Sequence, residues 1–285
     1  MAGHMINVIR KYSLLDRGGI LLVAGIYAGL YVLNLIVPLD RSLIFHYNNY
    51  VTRIWSWSEF ALAGAALVVL LQQRRLSITS VLLGFGLSLL SSLSIYARTH
   101  DPIDAAQEGV IVLLTFLAAT TLYEVNKKIT IPAFQGGIRK IFRSLLFGLL
   151  AALPLAVLNN LFFYFSEGWS SFRDVILSAL LALSPGIAEE IIFRYLVMAL
   201  CAQWIPDGVR PSWEYYTMIA LAVVPHSLNH LPDLFPINPA MGVFMLVSTS
   251  LLFGLPMALL QIKKNLETAI AFHWSIDFIR FLFGY

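Results

Sequence analysis

Glu189 and Glu190 are adjacent in the apolar run LLALSPGIAEEIIFRYLVMAL, and Arg194 follows four residues after Glu190. Ionisable side chains at membrane depth are costly unless paired or solvated, so three together mark a functional centre. On a helix Glu190 and Arg194 share a face and can form a charge-assisted pair, while Glu189 is turned about 100° away and stays available. Two further pairs have the same spacing: His226 and His230 in VVPHSLNHLPDLF, and His273 and Asp277 in AIAFHWSIDFIR. Pro225 is placed to start the helix that carries the two histidines, and Pro232 predicts a break after them, as at the wall of a cavity.

Together these groups have what peptide hydrolysis needs. A carboxylate takes a proton from water, a second group holds that water, and donors stabilise the developing oxyanion. Zinc is the runner-up, because two or three histidines and a glutamate can ligate it. The histidine pair reads HSLNH, however, and lacks the glutamate of HExxH. The bland alternative for all three pairs is a set of buried ion pairs and hydrogen bonds that hold helices together.

Such residues need helices to carry them, and the composition supplies these. Hydrophobic residues make up 59% of the 285 and charged residues 12%, and the mean hydropathy is +0.77. A soluble domain carries about a quarter charged residues, so this composition predicts an all-α, polytopic membrane protein. The apolar runs predict nine spans, with eight as the alternative, near residues 18–39, 54–73, 76–97, 105–124, 144–166, 173–204, 214–231, 239–262 and 267–284. Ser184, Pro185 and Gly186 interrupt the sixth just before the glutamates. The single cysteine, Cys201, excludes an intrachain disulfide.

Basic residues set the orientation. With the N-terminus in the cytoplasm, Arg10, Lys11, Arg17, Arg74, Arg75, Lys127, Lys128, Arg139, Lys140, Arg143, Arg210, Lys263 and Lys264 are inside, and only Arg41, Arg53, Arg98, Arg173 and Arg280 fall outside. That asymmetry is the positive-inside pattern, and it leaves no reason to invoke nucleic acid as a partner. The opening MAGHM, residues 1–5, reads as an expression scar. Residues 6–125 read as a four-span scaffold and 126–143 as a basic, surface-hugging cytoplasmic linker. Residues 144–285 then form the catalytic core, with all the unusual polar residues at membrane depth following the linker.

EEIIFR at 189–194 and HWSID at 273–277 resemble the EExxxR and Hxxx(N/D) motifs of the CPBP intramembrane proteases, the group that includes the Rce1 CAAX-processing endopeptidase and bacterial Abi proteins. The family's middle motif, FxxxH, is degenerate here. His230 with Leu231 and Pro232 fits its usual continuation but has His226 at the phenylalanine position, whereas the other register places His226 at the histidine and Ala222 at the phenylalanine. The resemblance covers roughly residues 140–285. It implies Glu189 as general base, His230 as its partner in holding water, and His273 with Asp277 at the oxyanion, with Glu190 and Arg194 supporting them. Where Rce1-like members have asparagine, Asp277 donates only when protonated; alternatively it orients His273, which is then the sole donor. The resemblance implies a glutamate-dependent endopeptidase with no required cofactor. Its substrate would be a peptide or membrane protein, lipidated or not, cut in the plasma membrane of a prokaryote. A non-proteolytic binding or immunity scaffold of the Abi type is the alternative. A transporter would show internal repeats, and none is visible.

Overall fold

The computed structural model describes residues 19–37, 49–73, 76–125, 129–205 and 213–285, and among them every regular element is helical. The N-terminal scar and Arg10, Lys11, Arg17, Arg41, Arg74, Arg75, Lys127, Lys128 and Arg210 lie outside the described residues. The elements are α1 (Gly19–Ile36), α2 (Tyr50–Gln73), α3 (Ile78–Thr99), α4 (Pro102–Val125), α5 (Ile138–Glu167), α6 (Val175–Leu181), a π-helix (Pro185–Leu196), α7 (Val197–Ala202), α8 (Trp213–Asn229), α9 (Leu234–Ile237), α10 (Pro239–Thr249), a π-turn (Ser250–Gly254), α11 (Leu255–Lys263) and α12 (Leu266–Leu282). In lipid every backbone polar group needs an internal partner, which is why apolar runs of this length fold as helices.

A helix occupies each of the nine expected spans. Among the described residues six are long and apolar enough to cross a bilayer: Tyr50–Gln73, Ile78–Thr99, Pro102–Val125, Ile138–Glu167, Val175–Ala202 and Pro239–Lys263. α8 and α12, at 17 residues each, sit at the lower limit of about 17 residues for a span. The protein is a polytopic integral membrane bundle.

α5 illustrates how the bundle packs. It buries only Gly148, Ala152 and Ala156, four residues apart on one face, and exposes Phe147, Leu150, Leu153 and Val157 as lipid-soluble surface. A Cβ at position 148 would lie 2.3 Å from the Thr268 carbonyl oxygen and 2.9 Å from Ala271 Cβ. Small residues therefore bring α5 into backbone contact with α12, the usual means of helix association where no hydrophobic effect operates.

α5 begins at Ile138, six residues before the expected span. The preceding segment is built into the protein: Ile129 and Ile131 are buried, the Leu266 amide donates to the Pro132 carbonyl at 3.0 Å, and the Phe134 amide donates to Glu267 Oε2 at 2.9 Å. These contacts tie the connection to the start of α12.

Pro185 and Gly186 have separate effects at the break in the sixth span. Pro185 removes an amide donor, so α6 ends and the chain re-enters helix with i→i+5 bonding. Gly186 lets that helix approach α12, since a Cβ there would lie 2.9 Å from Trp274 Cβ and 3.1 Å from Trp274 Cα and N. Gly186→Val is expected to destabilise the protein by about 1–3 kcal/mol, because the atoms in the way are largely backbone; thermal unfolding in detergent would measure this.

Two expectations are overturned. Buried polar residues are not confined to the part after the linker: Asn34, Arg53 and Glu108 are buried in the N-terminal helices. Each has a hydrogen-bond partner on another segment. Arg53 Nε donates to Asn34 Oδ1 at 2.9 Å and Arg53 Nη2 to the Val37 carbonyl at 2.6 Å. Pro225 also does not start a helix; it lies inside α8, with His226 in the last turn and His230 just past the end. The predicted break near Pro232 is present, α8 ending at Asn229. The N-terminal helices, the π-helix and α8 share one buried core that includes Phe116, Ile191, Tyr195 and Ala222.

Candidate active site

The π-helix, the end of α8 and the middle of α12 converge on one polar centre. The wider i→i+5 turn reduces the angle between neighbours, so Glu189 and Glu190 both face it. π-Helical segments are uncommon and recur at functional sites.

Glu190 is fully buried and multiply held. Arg194 Nη1 pairs with its Oε1, Gln261 Nε2 donates to its Oε2 at 2.7 Å and to its own carbonyl at 3.0 Å, and His273 Nδ1 lies 2.8 Å from Oε1. Glu189 is the most accessible of the three site acids, with 18% of its side chain exposed against 0% for Glu190 and 8% for Asp277. Its Oε2 is 2.7 Å from His226 Nε2 and 3.6 Å from His273 Nε2. One imidazole, His273, thus spans both glutamates.

Arg194 also fixes the state of His226. Its Nη2 donates to His226 Nδ1 at 3.0 Å, and a guanidinium can only donate. Nδ1 is therefore the acceptor, and the ring's one proton sits on Nε2, where it is donated to Glu189. His230 makes no such contact with Glu189. Its ring packs edge-on against Trp55 and His226, with centroids 4.9 and 5.2 Å apart, and it is exposed. A ring nitrogen of each histidine and a Glu189 oxygen all lie within 4.8 Å of one another, a span that one water bridges with ordinary hydrogen bonds.

Asp277 faces two donors. His273 Nε2 is 3.3 Å from its Oδ2, and Arg280 Nη2 pairs with its Oδ1 at 3.0 Å. The structure thus brings Glu189, Glu190, Arg194, His226, His273 and Asp277 into one hydrogen-bonded network and sets His230 at its accessible rim.

The Glu189, His226 and His230 set does not fit zinc in this arrangement. A metal-bound histidine donates its second N–H to a carboxylate, carbonyl or water. Here the second nitrogen of His226 faces the donor Arg194, so ligation through Nε2 would turn an N–H towards a guanidinium N–H.

Several participants carry no sequence signal of their own. Gln261, fully buried, is an isolated amide at the end of an apolar span. Arg280, by contrast, does carry one: the charge asymmetry places it outside, but it stands three residues after Asp277 on the same helix and pairs with it. Trp55, on α2, packs against Phe193, His226 and His230 with centroids 5.0, 5.2 and 4.9 Å away. Nothing in its local sequence separates it from lipid-facing tryptophans.

Residues 169–279 match the family model of type II CAAX prenyl endopeptidase Rce1-like proteins. No curated protein and no solved structure matches the chain. The matched region includes every site residue above except Trp55 and Arg280. Part of the chain, the part that holds most of the site, is thus similar to Rce1-like endopeptidases.

Proposed function

We propose that this integral membrane protein is an Rce1-like intramembrane endopeptidase in which Glu189 activates water. The observation that carries the reading is the pairing at Glu189. One carboxylate oxygen is held by a histidine whose tautomer Arg194 dictates, leaving the other oxygen, on the most accessible acid of the site, to take a proton.

In this reading water sits between Glu189 and His230, within the span their polar atoms define. Glu189 accepts a proton from it as the hydroxide oxygen attacks the peptide carbonyl. His273, anchored through Nδ1 on Glu190, directs Nε2 to the same side, where its one N–H is shared between Asp277 and the oxyanion. Glu189 then returns the proton to the amine as the C–N bond breaks. His226 orients the base, Arg194 and Glu190 hold the two histidines, and no metal is required.

Asp277 receives Arg280 and faces His273, which supports a part in orienting His273 over donation to the oxyanion. Asp277→Asn is then expected to retain hydrolysis within about tenfold, because the amide oxygen can still accept from His273. Asp277→Ala loses on the order of 10²-fold, the size of a misplaced oxyanion donor. Equal loss in both variants would reject the orienting role.

The substrate is a peptide or membrane-protein segment, lipidated or not, that enters between the C-terminal helices. The charge asymmetry supports an N-terminus in the cytoplasm and a prokaryotic plasma membrane. Comparing the membrane proteome of cells with and without the protein tests the reading. Full-length precursors are expected to accumulate in its absence and to be cut when it is restored, in the presence of a strong chelator as well. No change in the length of any membrane polypeptide would instead favour the non-proteolytic scaffold.

A further inference from the structure

Pro185 has no amide hydrogen, so the Leu181 carbonyl, four residues earlier, loses the donor it would have in a continuous helix. In lipid an unsatisfied carbonyl costs several kcal/mol, so a break at this depth needs repair from elsewhere. The repair comes from α3. Ser94 Oγ donates to the Leu181 carbonyl at 3.0 Å and accepts from the Ser184 amide at 3.0 Å. A hydroxyl offers one proton and two lone pairs, so a single buried side chain serves both backbone groups. α4 adds a second tie, Glu108 Oε1 accepting from Ser184 Oγ at 3.0 Å and from Ser91 Oγ at 3.1 Å.

We infer that Ser94 and Glu108 are positioning residues for Glu189: by binding the broken backbone at Leu181 and Ser184 they set where the π-helix begins and so where both glutamates face. Neither residue lies in the matched region 169–279. The four-span portion thereby becomes part of the site rather than a platform for it. The importance of this placement for hydrolysis rests on the function proposed above; the placement itself does not.

The test uses the whole protein, labelled with ¹⁵N-histidine, in lipid nanodiscs. The His226 ring signal, identified by its loss in His226→Gln, reports the Glu189 contact whether or not the protein cleaves anything. Ser94→Ala is expected to shift that signal as the Nε2–H loses its Glu189 acceptor, and to lower cleavage on the order of tenfold or more, as for a small misplacement of a reacting group. Ser94→Thr, which keeps the hydroxyl, and Glu108→Gln, which keeps an acceptor oxygen, are expected to preserve both. Ser184→Ala removes only the hydroxyl that faces Glu108 and provides a milder lesion with the same expected direction, should Ser94→Ala not fold.

Ser88→Ala is the control, since Ser88 Oγ donates to the Gly109 carbonyl at 2.7 Å, joining the same helix pair without touching the broken segment. An unmoved His226 signal in Ser94→Ala and Ser184→Ala overturns the inference, and so does an equal shift in Ser88→Ala. A shift confined to the Ser94 and Ser184 variants supports it. If no cleavage is found even with wild type, that shift upholds the placement while the hydrolytic reading falls.

Discussion

Glu189→Gln is expected to lower hydrolysis by about 10²–10⁴-fold, the range associated with loss of a general base, while thermal unfolding stays close to wild type. Glutamine is nearly isosteric, and its carbonyl oxygen can still accept from His226 Nε2, so the network around Arg194 survives. It cannot take a proton from water. The variant therefore separates the base from the scaffold, and cleavage of accumulated precursors by purified protein would measure the difference. Turnover at the wild-type rate would remove Glu189 from the chemistry.

Arg194→Leu has the largest expected effect on stability, about 3–5 kcal/mol, the usual cost of removing one partner from a buried ion pair. Arg194 is 1% exposed and serves two groups at once, pairing with Glu190 through Nη1 and donating to His226 through Nη2. Its loss leaves Glu190 with Gln261 and His273 alone and frees His226 to adopt either tautomer. Arg194→Lys is expected to rescue little, because one ammonium does not reproduce the planar fork that meets both partners. Chemical or thermal unfolding in detergent measures the cost. A leucine variant as stable as wild type would show that Glu190 carries no charge needing compensation.

The geometry of the candidate site is legible in the sequence where chemistry leaves pairs on one helix. Glu190 with Arg194 and His273 with Asp277 each meet as their four-residue spacing predicts, and a helix occupies every apolar run long enough to cross. Contacts between helices were not legible. His226 and His230 are equivalent by spacing, and only the approach of the π-helix puts Glu189 on the first of them. The π-helix itself escapes a reading based on 3.6-residue periodicity, because its apolar residues surround the whole turn. Ser94, Glu108 and Trp55 escape for another reason. Each is an ordinary member of its own helix and acquires meaning only from the broken segment or the imidazole that it meets.

The most direct measurement is the appearance of new peptide N-termini when purified protein in liposomes is incubated with membrane polypeptides from cells that lack it. Wild type is expected to generate discrete new N-termini, with or without a strong chelator, and Glu189→Gln to generate none above background. Identical N-termini from both proteins, or their disappearance on chelation, would contradict water activation by Glu189.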